Sequence, residues 1–168
     1  MGSHIYKYDL KDQEFSIVTE QEGQDIIGTL LPIGNYQNST YLNDTKLIYE
    51  LDNRTNRLQT LYSCRQDTVI NSVSKDEEGN FWIGSNYGLA HYNPITRAYT
   101  PMPTSLFGEV TLIVCDQQGK VWIGTDSMLF AWLIKEKKFV LFGESDGATQ
   151  NEYLSKPQLL SLQGDVYM

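Results

Sequence analysis

The sequence writes Gly-x-x-Trp-Ile-Gly twice, as "GNFWIG" at residues 79–84 and "GKVWIG" at residues 119–124, forty residues apart. Recurrence at a fixed period of about 20–50 residues marks a repeat architecture and restricts the fold more than any composition does. The rest of the chain keeps the same period. Tyr8 and Phe15, Leu51 and Leu58, Tyr92 and Tyr99, Trp132 and Phe139 are pairs seven residues apart, and their first members step by 43, 41 and 40 residues. Each pair encloses a polar turn: "DLKDQE", "DNRTNR", "NPITRA" or "LIKEKK". The Gly-x-x-aromatic element returns at Gly164 in "GDVYM", and Tyr41 stands 41 residues before Trp82 in a fainter copy.

Each unit reads as four short strands. In the clearest unit these are "TVINSVSKD", "NFWIGS", "GLAHYN" and "RAYTPM". "DEEGN" and "DQQGK" place Asp first and Gly fourth, as in a type I turn followed by a left-handed bulge residue. "FWI" and "VWI" are apolar on consecutive residues, hence on both faces of a strand whose side chains alternate. Such a strand needs a packing neighbour on each side of its sheet. Four-stranded units of about forty residues stacked face to face meet that need as a β-propeller, with Trp82 and Trp122 in equivalent core positions. Gly84 and Gly124 then lie where the chain leaves the packed layer. An aligned β-sandwich would explain the short strands but not the period.

The expected fold is therefore all-β: a propeller fragment of about four blade-equivalents of four-stranded antiparallel sheets, starting and ending mid-blade. A half-blade spans residues 5–18, whole blades span about 24–62, 67–101 and 108–142, and a half-blade spans 155–168. Residues 1–4, "MGSH", read as an expression-vector scar and are left out of fold reasoning.

The segments "DEEGNFWIGSNYGLAHYNP" and "DQQGKVWIGTDSMLF" resemble the two-component regulator propeller repeat, whose pattern is Asp-x-x-Gly-x-[Leu/Phe]-Trp-Ile-Gly-Thr-x-x-Gly-Leu. Asp146, Gly147, Asn151 and Tyr153 resemble that family's inter-repeat joint; Ala148 departs from its Leu, and residues 126–129 lack its Gly-Leu pair. The resemblance covers roughly residues 68–168. It implies a periplasmic sensor region of a hybrid two-component system in glycan-degrading bacteria. In that family, propellers precede a small β-sandwich, a membrane helix and a histidine kinase with its regulator, and an oligosaccharide is the ligand.

Composition narrows the partners. A formal charge of −8 repels a phosphate backbone, which argues against nucleic acid. No run of eighteen apolar residues spans a membrane, and no charged-then-apolar leader opens the chain. Cys64 and Cys115 make no disulfide framework and no metal-ligand spacing, so they read as two separate thiols. With His4 in the scar, His91 is the only other histidine; it reads as a satisfied strand residue, and no Ser–His–acid set can be drawn. "GSNYG" carries its serine second rather than third, so it is no nucleophile elbow. "DEEG" reads as a turn rather than a calcium loop. Neither catalysis, a metal nor a cofactor is expected of this segment.

Binding is expected on one ring face. Loops between second and third strands fall on the same face as the inter-blade linkers, here residues 101–108 and 143–155. That face collects Asn86, Tyr87, Asp126 and Ser127, joined by Asn151 and Tyr153, a mixture of aromatic, amide and carboxylate groups that suits a sugar. Two alternatives stand beside the sensor: a protein–protein interaction scaffold, which would favour a Gly-His…Trp-Asp signature, and a propeller lyase or hydrolase, which would need histidine and acid converging on the axis. Because the two ends supply complementary half-blades, self-association as a symmetric dimer is also expected.

Overall fold

The computed structural model describes residues 5–20, 29–103, 108–116, 118–148, 159–160 and 166–167. It divides into two compact units, residues 1–66 and 67–168. Among the described residues the secondary structure is strands, turns and one 3-10 turn, Glu144–Asp146.

One hairpin turn is written four times. Gln13, Asn56, Arg97 and Lys137 all adopt left-handed backbone, with φ of 55°, 54°, 58° and 52°. They close the four polar turns enclosed by the seven-residue pairs. In three of the turns a side-chain oxygen at the first position caps the loop. Asp9 Oδ1 accepts the amides of Lys11 and Asp12 at 2.9 and 3.2 Å. Asp52 Oδ1 accepts those of Arg54 and Thr55 at 2.7 and 3.1 Å, and Asn93 Oδ1 those of Ile95 and Thr96 at 3.0 and 2.8 Å. These bonds to Asp12 and Lys11 hold the Asp9 carboxyl below its ordinary range, and those to Arg54 and Thr55 do the same for Asp52.

The first unit holds an antiparallel meander of β3 (Leu31–Tyr36), β4 (Ser39–Asn43), β5 (Leu47–Asp52) and β6 (Arg57–Ser63). It also holds the hairpin of β1 (Ile5–Asp9) and β2 (Glu14–Glu20). Ile5 and Val18 pack into a core with Tyr49, Leu51 and Leu58. Lys7 Nζ donates to Asn53 O at 2.9 Å, and Asn56 Nδ2 to Ser16 Oγ at 3.2 Å, fastening the hairpin to the β5–β6 turn. Sequence reasoning assigns residues 5–18 to a blade of their own. In the structure β2 runs on to Glu20 and pairs in parallel with β6 through Thr19–Arg57 and Glu20–Leu58. The end of β2 thus joins the edge that β6 would otherwise leave unpaired, and the sheet order becomes β1-β2-β6-β5-β4-β3.

The second unit contains two four-stranded antiparallel sheets. One runs through β7 (Ile70–Lys75), β8 (Phe81–Ser85), β9 (Gly88–Asn93) and β10 (Ala98–Pro101); the other through β11 (Val110–Cys115), β12 (Lys120–Thr125), β13 (Leu129–Leu133) and β14 (Lys138–Phe142). A two-stranded hairpin, β15 (Leu159–Leu160) with β16 (Val166–Tyr167), follows. Every residue of β8 is buried, as consecutive apolar residues require of a strand covered on both faces.

The two sheets meet along a seam that side chains of β7 stitch to the backbone of β11. Ser72 Oγ accepts the amide of Ile113 at 3.0 Å, Ser74 Oγ that of Cys115 at 2.9 Å, and Asn71 Nδ2 donates to Val110 O at 3.1 Å. Trp82, Leu89, Val110, Ile113, Val121, Ile123 and Phe130 fill the core beside it. Gly84 lies at the closest approach, not at an exit from the layer as its position after Trp-Ile implies. A Cβ there would stand 2.6 Å from Val110 Cγ1 and 3.0 Å from Ile113 Cγ1. Cys115 is buried in the same seam, and burial pushes its thiol up to about 12. Cys64 and Cys115 are thiols rather than a disulfide.

Since Val110 and Ile113 are both fully buried, neither can retreat from a new methyl. Gly84→Ala should cost about 1–3 kcal/mol of unfolding free energy by overpacking. Gly143→Ala, where a Cβ would meet nothing within 4 Å, serves as the control. Urea denaturation of both variants measures it, and equal midpoints would refute the seam as drawn.

Candidate functional site

The loops between second and third strands are held by the hydroxyl residue that follows Trp-Ile-Gly. Ser85 Oγ donates to Gly88 O at 3.1 Å and accepts the Tyr87 amide at 3.2 Å. Thr125 Oγ1 repeats this, donating to Met128 O at 3.2 Å and accepting the Met128 amide at 3.0 Å. The turns presenting Asn86–Tyr87 and Asp126–Ser127 are therefore set by buried anchors.

The candidate residues on these turns do different work. Asn86 is a clamp: its Oδ1 accepts the Val69 amide at 2.7 Å and its Nδ2 donates to Asp67 O at 3.1 Å. Its amide group ties the loop to the incoming linker, a role that its place in the sequence does not disclose. Tyr87 donates its hydroxyl to Asp67 Oδ2 at 2.8 Å while 57% of its surface stays exposed. That bond, and the nearby negative charge of Asp67, raise the phenol above its ordinary range. The ring is thus held by its tip and offers its face to solvent. Asp126 and Ser127 are exposed and bonded to each other, Ser127 Oγ to Asp126 Oδ1 at 3.2 Å. Asn151 and Tyr153 lie outside the described residues.

The matching loop of the first unit contains a group that the sequence reading passed over. Asp44 is buried, its Oδ1 accepting the amides of Lys46 and Leu47 and its Oδ2 accepting the Tyr49 hydroxyl at 2.7 Å. It is a structural knot. The only sequence signal was Asp placed two and three residues before the amides it caps.

At the opposite ends of the second strands, the Asp that opens each Asp-x-x-Gly turn reaches the tryptophan six residues on. Trp82 Nε1 donates to Asp76 Oδ2 and Trp122 Nε1 to Asp116 Oδ2, both at 3.0 Å. Gly79 and Gly119 take the left-handed φ, 88° and 78°, that the turn demands. The two tryptophans are equivalent in register and in this bond, but Trp82 is buried and Trp122 half-buried. His91 packs its ring 4.8 Å from that of Trp82, with Nε2 3.8 Å from Asp76 Oδ2. Burial works to raise the Asp76 carboxyl, but bonds from His91, Asn80 and Trp82 outweigh it and hold the group below its ordinary range. Among the described residues no cluster of His, Cys, Asp and Glu could hold a metal ion, and no helix is long and apolar enough to cross a membrane.

Four-stranded antiparallel sheets in a forty-residue period, stitched first strand to first strand, define the chain as a β-propeller protein. Residues 65–87 and 105–127 match the family model "Two component regulator propeller", so the chain carries two component regulator propeller repeats. Its fold is similar to the extracellular domain assigned to the hybrid two component system BT3049 from B. thetaiotaomicron, with TM-score 0.62 and 17% identity over 96% of this chain and 22% of that one. The corresponding domain of BT4673 from B. thetaiotaomicron gives TM-score 0.64 and 18% identity over 99% of this chain and 23% of that one. YCF48 bound to D1 peptide gives TM-score 0.60 and 12% identity over 92% of this chain and 53% of that one. The chain thus spans less than a quarter of the length of the two extracellular domains. No curated protein matches the sequence.

Asp76→Ala should destabilise the protein by about 1–3 kcal/mol, since it strands the Trp82 indole and a turn amide, whereas Glu77→Ala on the exposed turn should be neutral. The pH dependence carries a sign. The folded carboxyl titrates below the unfolded one, so its contribution is complete above the ordinary carboxylate range and is lost as pH falls through the depressed value. Urea midpoints of wild type and Asp76→Asn across acid pH should converge on acidification; parallel curves would show that Asp76 contributes nothing through its charge.

Proposed function

We propose that this chain is part of the extracytoplasmic, periplasmic ligand-sensing propeller of a hybrid two-component system that controls glycan use. In this reading an oligosaccharide binds on the face that presents Tyr87, Asp126 and Ser127, once the ring of the whole protein is complete. The observation that carries it is the exposed Tyr87 ring, pinned at its hydroxyl by Asp67 on a loop of a two component regulator propeller repeat. A fixed, exposed aromatic face suits the apolar side of a sugar, and neighbouring carboxylate and hydroxyl groups suit its hydroxyls. The role is binding and signalling rather than catalysis. A second reading, in which the ligand is a peptide, is supported by the likeness to the propeller of YCF48 bound to D1 peptide.

Calorimetry on the whole sensor with a panel of glycans tests the reading. A glycan should bind, and Tyr87→Ala should weaken it about tenfold, roughly 1.4 kcal/mol, while the isolated 168-residue chain binds weakly or not at all. Binding untouched by Tyr87→Ala and Asp126→Ala would remove this face from consideration. Response to peptides alone would favour the second reading, and glycan turnover would make the protein an enzyme.

A further inference from the structure

The β1–β2 hairpin presents a face that its own repeat covers elsewhere. Tyr6 and Tyr8 are 59% and 45% exposed, and Phe15, its ring centroid 4.7 Å from that of Tyr8, is exposed as well. One and two repeats on, the residues in register with Tyr8 are Leu51 and Tyr92, both buried; those in register with Tyr6 are Tyr49 and Ala90, also buried. The third repeat shows what does the covering. There Phe130 and Trp132 hold these positions, and they pack with Phe139 into the core around Trp82 of the preceding sheet, the Trp132 and Trp82 rings 6.4 Å apart. The natural cover for such a hairpin is therefore the tryptophan-bearing face of a repeat unit.

The backbone makes a matching demand. β5, β9 and β13, the strands equivalent to β1, each pair on both sides, whereas β1 ends its sheet and pairs with β2 alone. What it lacks is a second strand. The chain carries one in β16, which among the described residues pairs only with β15. It also carries a second tryptophan face, on β12, where Trp122 is half-buried. Open edge and open face thus fit two surfaces of the same sequence, and the rings exposed in the single chain leave that fit to another copy.

We propose that two copies of this chain associate head to tail, β1 of each pairing with β16 of the other while Tyr6 and Tyr8 pack on the other's Trp122-bearing sheet. Each junction repeats the seam between the β7–β10 and β11–β14 sheets, and reciprocal exchange closes a two-fold pair with both open edges satisfied. The inference is independent of which ligand the sensor takes.

Light scattering on the purified chain at micromolar concentration should give the mass of a dimer, and Tyr8→Glu should give a monomer with unchanged circular dichroism. Val140→Glu places a carboxylate in the same cross-strand row as Trp122 and should also give a monomer. Mixing the two variants should restore a dimer, because one junction of the mixed pair keeps both faces intact. Amide exchange in residues 5–9 of the unmodified chain should slow as concentration rises, a readout that needs no variant. A wild-type monomer throughout the micromolar range, or a Tyr8→Glu dimer, overturns the proposal. Failure of the mixture to dimerise while the amides are still protected overturns the head-to-tail arrangement in favour of hairpin-to-hairpin contact.

Discussion

The structure depends on a close approach between sheets that only a missing side chain permits. At Gly84 the strand β8 comes so near to β11 that a methyl group would overlap Val110. That contact lets the Ser72 and Ser74 hydroxyls reach amides on the neighbouring strand, and it lets Trp82 share a core with Ile113, Val121 and Phe130. The tryptophan and the glycine of the motif are two halves of one device. The first supplies area to bury and the second supplies the distance at which burial is complete. The aspartate six residues before the tryptophan finishes the arrangement by satisfying the indole N–H, which would otherwise be costly in that position.

Much of this was legible in the sequence, because period and alternation are properties of the chain itself. Strand boundaries, the Asp-x-x-Gly turns and the placement of Trp82 and Trp122 in separate sheets all follow from the forty-residue step and the two-residue alternation of side chains. Three features did not follow. The purpose of Gly84 is set by Val110, twenty-six residues away, and glycine in a strand carries no label for its neighbour. Asn86 reads as an available amide but is consumed by Val69 and Asp67, since a polar residue on a loop looks alike whether it binds a ligand or its own backbone. The run of β2 to Glu20 and its parallel pairing with β6 depend on a free edge that appears only after folding.

The candidate face illustrates the same division. Its location followed from strand count, because antiparallel order sends every second-to-third loop the same way. Its chemistry was settled by partners that no local motif announces. Tyr87 keeps an exposed ring because Asp67 holds only its hydroxyl, and Asp126 with Ser127 remains at the surface of a turn tied by Thr125. Asp44 in the first unit shows the other outcome, a carboxylate turned inward and fully used by the turn it closes.

The four left-handed turns make the two ends of each blade unequal in what they can tolerate. Gln13, Asn56, Arg97 and Lys137 hold one backbone shape with four different side chains, three of them beside an oxygen cap and one without it. On that rim, shape is carried by the backbone and a single capping oxygen, leaving the other positions free to drift. On the opposite rim, a loop such as that of Asn86 is bonded to the segment entering its sheet, so a change there is felt beyond the loop. One rim can absorb mutation silently; the other converts a local event into a pull on the strand next to it, which is what a receptor surface must do to be heard.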